Sequence, residues 1–179
     1  MTPATTPILV AGIGNIFFGD DAFGCEVVRE LIRERRPWPR HVRIEDFGIR
    51  SYDLAYAIMD GVDTVIIDAV SRGQPPGTLY LIEPDLSHIE GNAAPDGHTM
   101  TPIAVLQLVK SLDGRTGRLF LVGCEPSVLE SEEDAMRLSE PVQAAVPLAI
   151  TMIESLIDDL LHDRNPMRSG LAGATKEVS

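Results

Sequence analysis

The stretch "ILVAGIGNIFFGDDAFG", residues 8–24, decides the fold of this 179-residue chain. It opens on a run of apolar and small residues that predicts a buried β-strand over residues 8–13. Gly12 and Gly14 let the chain turn tightly out of that strand, and an apolar stripe at helical spacing starts near Ala22. A strand that turns directly into a helix is typical of the first unit of an α/β fold.

The same stretch begins like a nucleotide-binding glycine loop, because Gly12 and Gly14 fit the first half of the pattern GxGxxG. The third glycine position is Phe17, however, and Asp20 and Asp21 follow at the start of the helix. A pyrophosphate would lie against that helix start, where two carboxylates would repel it. We therefore expect no bound nucleotide and look for another use of the acidic pair.

The composition is that of a soluble globular protein, with 44% hydrophobic and 23% charged residues. A net charge of -12 argues against nucleic acid and against anionic membranes as partners. The first residues show no signal peptide, and no apolar run approaches the roughly 20 residues of a membrane span. Cys25 and Cys124 show neither metal-ligand spacing nor a disulfide framework. These features predict a cytoplasmic protein.

Strand and helix patterns alternate along the chain. Strands are predicted at 8–13, 42–46, 64–69, 78–82 and 118–122, and helices at 22–36, from 51, at 101–112 and at 139–162. The loop before the fourth strand is shorter than the dozen or so residues of a parallel crossover, so this strand should be antiparallel. We predict a three-layer α/β/α fold with a five-stranded, mostly parallel twisted sheet. One domain should span residues 1–162, and residues 163–179, which lack an apolar period, should be disordered.

Acidic side chains follow the predicted strands at the points where the strands end. Asp21 comes after the first strand, Asp46 after the second, and Asp68 ends the third. His98 lies in the long connection before the helix that starts at Thr101, where it could fold over the same edge. Two carboxylates and an imidazole suit a borderline divalent ion such as nickel or zinc and leave coordination positions open.

Each of these residues also has an ordinary structural interpretation. One of Asp20 and Asp21 could cap the first helix, and a strand-end aspartate such as Asp68 is often structural. A hydrolase that pairs Cys124 with His98 is a further alternative, although no nucleophile elbow surrounds Cys124. The residues alone leave these alternatives open.

Four segments resemble the [NiFe]-hydrogenase maturation proteases, in the order in which that family carries them. "GIGNIFFGDDAFG" (12–24) resembles the N-terminal signature of the family, and "DTVIIDAV" (63–70) resembles the strand that ends in aspartate. "DGHTM" (96–100) is similar to its histidine segment and "LFLVGCEP" (119–126) to its last strand. The resemblance runs from about Ile8 to the C-terminal helix.

The resemblance implies an endopeptidase that removes the C-terminal extension of a nickel-loaded hydrogenase large-subunit precursor. It carries the nickel-recognising and catalytic roles over to Asp21, Asp68 and His98, and gives Asp20 a capping or supporting role. The nickel would arrive with the precursor, so it is part of the substrate and not a resident cofactor. Either the metal or an aspartate could activate the attacking water. A non-catalytic, nickel-sensing chaperone for the same precursor would share these ligands and is the alternative function.

One segment departs from the family pattern. Many members carry "DGGTxG" after the second strand, whereas this chain has "DFGIRSYDL" at 46–54. Asp46 and Gly48 are retained, but Phe47, Ile49 and Arg50 replace the other residues of that pattern. Asp46 is therefore predicted as a substrate-side residue. If this loop contacts the precursor, its departure from the pattern predicts a different type of hydrogenase as substrate.

Overall fold

A computed structural model describes residues 6–89, 101–127, 136–168 and 174–178. The strands are β1 Ile8–Ile13, β2 Val42–Gly48, β3 Asp63–Ala69, β4 Leu79–Glu83, β5 Leu119–Cys124 and β6 Ala174–Val178. The helices are α1 Phe23–Arg33, α2 Ser51–Ile58, α3 Pro102–Ser111 and α4 Glu140–Leu161. A 3₁₀ turn, Gly19–Ala22, joins the first loop to α1.

The strands form one sheet in the order β2-β1-β3-β5-β4-β6. β4 runs antiparallel to β5, and β1, β2, β3 and β5 are parallel to one another. One apolar core joins α1 and α4 to one face of the sheet, and a second core joins α2 and α3 to the other face. The predicted three-layer α/β/α fold and the antiparallel fourth strand are confirmed.

β1 and β3 lie at the centre because both of their faces are apolar. Val10 and Val65 face α1 and α4, whereas Leu9 and Ile66 face α2 and α3, and all four are buried. Both faces of such strands are buried only when a helical layer covers each side of the sheet, as the continuous β-branched run in residues 64–67 predicts. Burial of each aliphatic side chain contributes roughly 1.5–3 kcal/mol to this arrangement.

The C-terminal part of the chain differs from its prediction. Residues 166–168 form a 3₁₀ turn, and β6 adds a sixth strand that pairs in parallel with β4. The segment "ATKEV" is short and polar, so its hydrophobic pattern gives no strand signal. An edge strand needs only main-chain hydrogen bonds to one neighbour, and side-chain patterns do not reveal those.

The α3 helix begins as predicted. Thr101 is its N-cap, where the side-chain oxygen accepts a hydrogen bond from the backbone N–H of Ala104 at 3.2 Å, and Pro102 is the first helical residue. In the described part of the chain no helix combines the length and the apolar character that crossing a membrane requires.

The order of the strands places a crevice between β1 and β3. The chain passes from β1 to β2 on one side, then crosses to β3 on the other side of β1. In open parallel sheets, ligands bind outside the carboxyl ends of the strands at such a switch point. The loop after β1 carries Asp21, and Asp68 lies at the carboxyl end of β3, so the two predicted acids flank this crevice.

Candidate functional site

Main-chain contacts fix the position of Asp21. The backbone N–H of Asn15 donates to Oδ2 of Asp21 at 2.7 Å, which closes the loop that leaves β1. Gly14 lies directly under the carbonyl of Asp21, and a Cβ at position 14 would sit 1.8 Å from that oxygen. Gly14 also has φ +131, a conformation that other residues rarely adopt. Only glycine therefore allows the loop to hold Asp21 at this place.

A second glycine, Gly24, lets the start of α1 pack closely against both central strands. A Cβ at Gly24 would lie 2.0 Å from the carbonyl oxygen of Ile67 and 2.4 Å from that of Ile13. Ile67 immediately precedes Asp68, so this close approach brings the beginning of α1 to the end of β3. The turn that carries Asp21 is thereby held beside Asp68.

Asp68 is a buried carboxyl group with a neighbouring carboxylate. Its Oδ1 accepts a hydrogen bond from the backbone N–H of Ala69 at 2.9 Å. Burial and the negative charge of Asp21 raise the pKa of Asp68 well above its usual range, and the Ala69 hydrogen bond only partly opposes them. The structure thus brings together two of the three predicted metal-binding residues, close enough for one charge to act on the other.

A groove of about 690 Å³ runs from Asp68 toward the start of α3. Its walls include Ile82 and Leu106, and its far side is formed by Ile89 and Thr101. His98 lies outside the described residues.

Asp20 binds elsewhere in the fold and does not cap α1. Its carboxylate accepts hydrogen bonds from Ser139 N at 2.6 Å, from Ser139 Oγ at 2.8 Å and from Ser127 N at 2.8 Å. The N-cap position of α1 is Ala22, which makes no side-chain cap hydrogen bond. The capping interpretation of the acidic pair is therefore wrong, because Asp20 joins its turn to the start of α4 and Asp21 bonds within its own loop.

Asp46 lies two residues before the end of β2, on the side of the sheet that faces α1. Its carboxylate forms an ion pair with Arg29 at 3.3 Å and accepts a hydrogen bond from the backbone N–H of Gly48 at 3.0 Å. Arg50 donates to the main-chain carbonyls of Asp46 and Phe47 and closes the turn. These contacts order the loop that replaces the family's glycines, and a role for Asp46 toward substrate stays a prediction.

The two cysteines are inert at neutral pH. Burial, and then the neighbouring Asp46, raise the pKa of Cys25 to about 12. Burial, followed by Asp20 and Glu125, raises the pKa of Cys124 to about 12. A nucleophilic cysteine needs cationic neighbours that lower its pKa, so the acids around Cys124 argue against the Cys124–His98 hydrolase.

Glu125 is a positioning residue whose role the sequence did not reveal. Its buried carboxylate accepts hydrogen bonds from the Tyr80 hydroxyl and from the backbone N–H groups of Arg72, Gly73 and Gln74. Burial alone would raise the pKa of Glu125, but these hydrogen bonds lower it below its usual range. The loop that leaves β3 just after Asp68 is fixed in this way. The hydrogen-bond partners of Glu125 lie about fifty residues away in the chain, so the sequence around Glu125 does not indicate them.

Among the residues that the structure describes, no group of three His, Cys, Asp or Glu side chains could hold a metal ion. Asp21 and Asp68 supply two carboxylates at the crevice.

Comparisons with known proteins identify the same family for this chain. A sequence model described as "Hydrogenase maturation protease" matches residues 25–156. A putative hydrogenase maturation protease of Methanocaldococcus jannaschii is 34% identical over 152 residues, which cover 82% of this chain and 93% of that protein. The hydrogenase expression/formation protein HupM of Azotobacter chroococcum is 32% identical over 153 residues, covering 85% and 72% of the two chains.

A solved structure agrees with the sequence comparison. The hydrogenase maturating endopeptidase HybD of Escherichia coli superposes with a TM-score of 0.68 at 27% identity. The match covers 86% of this chain and 93% of that one. The sheet and its helical layers are thus those of a known peptidase.

Proposed function

The chain belongs to the hydrogenase maturation protease family and is a hydrolase, and we propose that it removes the C-terminal extension of a nickel-loaded [NiFe]-hydrogenase large-subunit precursor. The observation that carries this proposal is the pairing of Asp21 with Asp68 at the switch point of the sheet. Two carboxylates whose charges repel each other bind a divalent cation favourably, because the cation relieves that repulsion.

Asp21, Asp68 and His98 recognise the nickel that the precursor already holds. Binding at the metal anchors the polypeptide beside it and brings the scissile peptide to the crevice, which accelerates hydrolysis by proximity and orientation. The raised pKa of Asp68 means that this carboxyl group keeps its proton to a higher pH than an ordinary aspartate does. Nickel binds the ionised carboxylate, so a proton held on Asp68 is released to water when the metal is engaged.

The test is cleavage of the precursor with and without its nickel. Purified protein is mixed with nickel-loaded large-subunit precursor, and the C-terminal extension is followed by mass spectrometry. We expect release of the extension only from the nickel-loaded form. An intact extension, together with tight binding of the nickel-loaded precursor, would instead favour the non-catalytic chaperone.

Variants assign the ligands. We expect Asp68→Ala and His98→Ala to abolish processing, with circular dichroism spectra that remain those of the folded protein. Asp20→Asn is the matched acidic control, because the carboxylate of Asp20 is engaged by Ser127 and Ser139. Its turnover per folded molecule should stay close to that of the wild type. If all three variants processed the precursor as fast as the wild type, the proposed ligand set would be excluded.

A further inference from the structure

The groove that begins at Asp68 is larger than a metal site requires. Its volume of about 690 Å³ is that of a ligand-binding cleft, for which roughly 300–1,000 Å³ is usual. A divalent cation lies only about 2.0–2.2 Å from a carboxylate oxygen that binds it. A cation at Asp68 would therefore occupy one end of the groove and leave the rest of its volume for other groups.

The floor of the groove is apolar because two layers of the fold meet there. Ile82 of β4 and Leu121 of β5 come from the sheet, and Leu106 comes from α3, which covers this face. All three belong to the core, yet Leu121 keeps 8% of its surface exposed and Leu106 keeps 5%. The core is thus open to the groove at this point, and an apolar group that entered would be removed from water.

One exposed apolar side chain lies at the border of the groove. Ile103, in the first turn of α3 after the N-cap Thr101, lines the groove and is 61% exposed. Among the described lining residues, Arg72 and Asp85 are the charged groups besides Asp68, and their charges are opposite. The floor and the border therefore favour an apolar ligand, and net charge does not select it.

The enzyme class indicates what occupies the groove. The chain belongs to a family of proteases, and the substrate of a protease is a polypeptide. An extended polypeptide advances by roughly 3.3–3.6 Å per residue. If the scissile bond lies beside Asp68, the residues next to that bond are close enough to enter the space that begins there. The continuity of the groove with Asp68 is the observation that assigns the substrate as its occupant.

We propose that the groove is a specificity subsite, which takes an apolar side chain of the precursor next to the scissile bond, and that Ile103 contacts this side chain. The inference rests on the proposed function, since it takes cleavage to occur beside Asp68. Filling the groove holds the adjacent peptide bond in place for reaction. Ile103 is thus a specificity-determining residue and takes no part in the chemical step.

The test compares two isoleucines of similar exposure. Ile103→Ser removes the contact at the border, and Ile32→Ser on α1 is the matched control, because Ile32 is 52% exposed and does not line the groove. The ratio kcat/KM is measured with nickel-loaded precursor. We expect Ile103→Ser to lower it about tenfold, the lower end of the range for lost apolar contacts in a pocket. The control should stay within twofold. An unchanged ratio for Ile103→Ser, or an equal loss in the control, would overturn the subsite.

Variants of the precursor identify the side chain that enters the groove. The masses of the products give the cleaved bond, and the residue on each side of it is replaced by glycine in turn. With the precursor that lacks the entering side chain, Ile103→Ser should lower kcat/KM less than twofold, because both changes remove the same contact. Equal losses with the natural precursor and with both glycine variants would show that Ile103 contacts neither residue, and the proposal would be wrong.

Binding measurements separate this inference from the proposed function. Calorimetric titration with nickel-loaded precursor measures association whether or not hydrolysis follows. Binding by Ile103→Ser that is at least fivefold weaker than binding by Ile32→Ser would support the subsite even if the wild type did not cleave. Equal affinities, or no binding by any of the proteins, would refute it.

Two further measurements cover the other occupants of the groove. A lower Tm for Ile103→Ser with unchanged affinity for the precursor would assign the groove to a segment of this chain. A wild-type dimer in sedimentation velocity that Ile103→Ser cannot form would assign it to a second copy. Either result would overturn the substrate subsite.

Discussion

Asp68 is kept at a cost to the stability of the fold. Its folded-state pKa lies above the ordinary value of 3.8, so the native protein holds a proton that the unfolded chain releases as pH rises. Stability therefore falls with increasing pH between the unfolded and the folded pKa of this group. Residues that oppose stability in this way are often retained for function, because the fold alone would avoid them.

This linkage gives a prediction for Asp68→Asn. The amide keeps an oxygen that can accept from the N–H of Ala69 but carries no charge beside Asp21. We expect the variant to be inactive yet more stable than the wild type at pH 8, by about 0.5–2 kcal/mol, a usual size for a stabilising substitution. The gain should vanish below pH 3.8, where both states of the wild type are protonated. Chemical denaturation across pH measures it, and a variant less stable at pH 8 would contradict the assigned repulsion.

At the scale of elements, the loop between β3 and β4 donates three backbone hydrogen bonds to the carboxylate of Glu125. We expect Glu125→Gln to destabilise the protein by about 1–3 kcal/mol, because hydrogen bonds to an ionised group are lost or weakened. Since the pKa of Glu125 is lowered in the fold, its contribution is present above the ordinary value of 4.5 and is lost as pH falls through the folded pKa.

Hydrogen exchange locates the effect of this substitution. The amides of Arg72, Gly73 and Gln74 should exchange faster in Glu125→Gln, while amides of β1 stay protected. Tyr80→Phe is the graded control, because it removes one of the donors to Glu125 and leaves the backbone donors in place. Equal exchange of the loop amides in wild type and Glu125→Gln would show that the loop is held by other contacts.

The elements differ in how far the sequence could predict them. The central strands and α3 were predictable because continuous apolar runs and a Thr-Pro start are local signals. The partners of Asp20 were not, since Ser127 and Ser139 lie more than a hundred residues away. The carboxylate pair was predicted from strand ends that meet at one edge, whereas the outward projection of Phe17 and Phe18 depends on a turn that periodicity cannot reveal.

For the molecule as a whole, the sixth strand lies at the edge of the sheet farthest from β2. A chain ending at residue 168 should fold and retain processing, because β4 and β5 separate β6 from β3. Loss of the β4–β6 pairing should lower Tm by about 2–4 °C for each kcal/mol removed in a protein of this size. Calorimetry and the cleavage assay check this together. A truncated protein that is folded but inactive would place part of the site on the C-terminal strand.

The close main-chain packing at Gly14 and Gly24 affects how the carboxylate pair of Asp21 and Asp68 responds to ions. Main-chain contacts at Gly14 and Gly24 fix the backbone that carries Asp21 beside the end of β3, so Asp21 and Asp68 remain neighbours in the fold. The repulsion between their charges is relieved by a proton on Asp68 or by a cation bound to both carboxylates. If the nickel of the precursor binds these two carboxylates, as proposed, a precursor without nickel leaves their repulsion unrelieved.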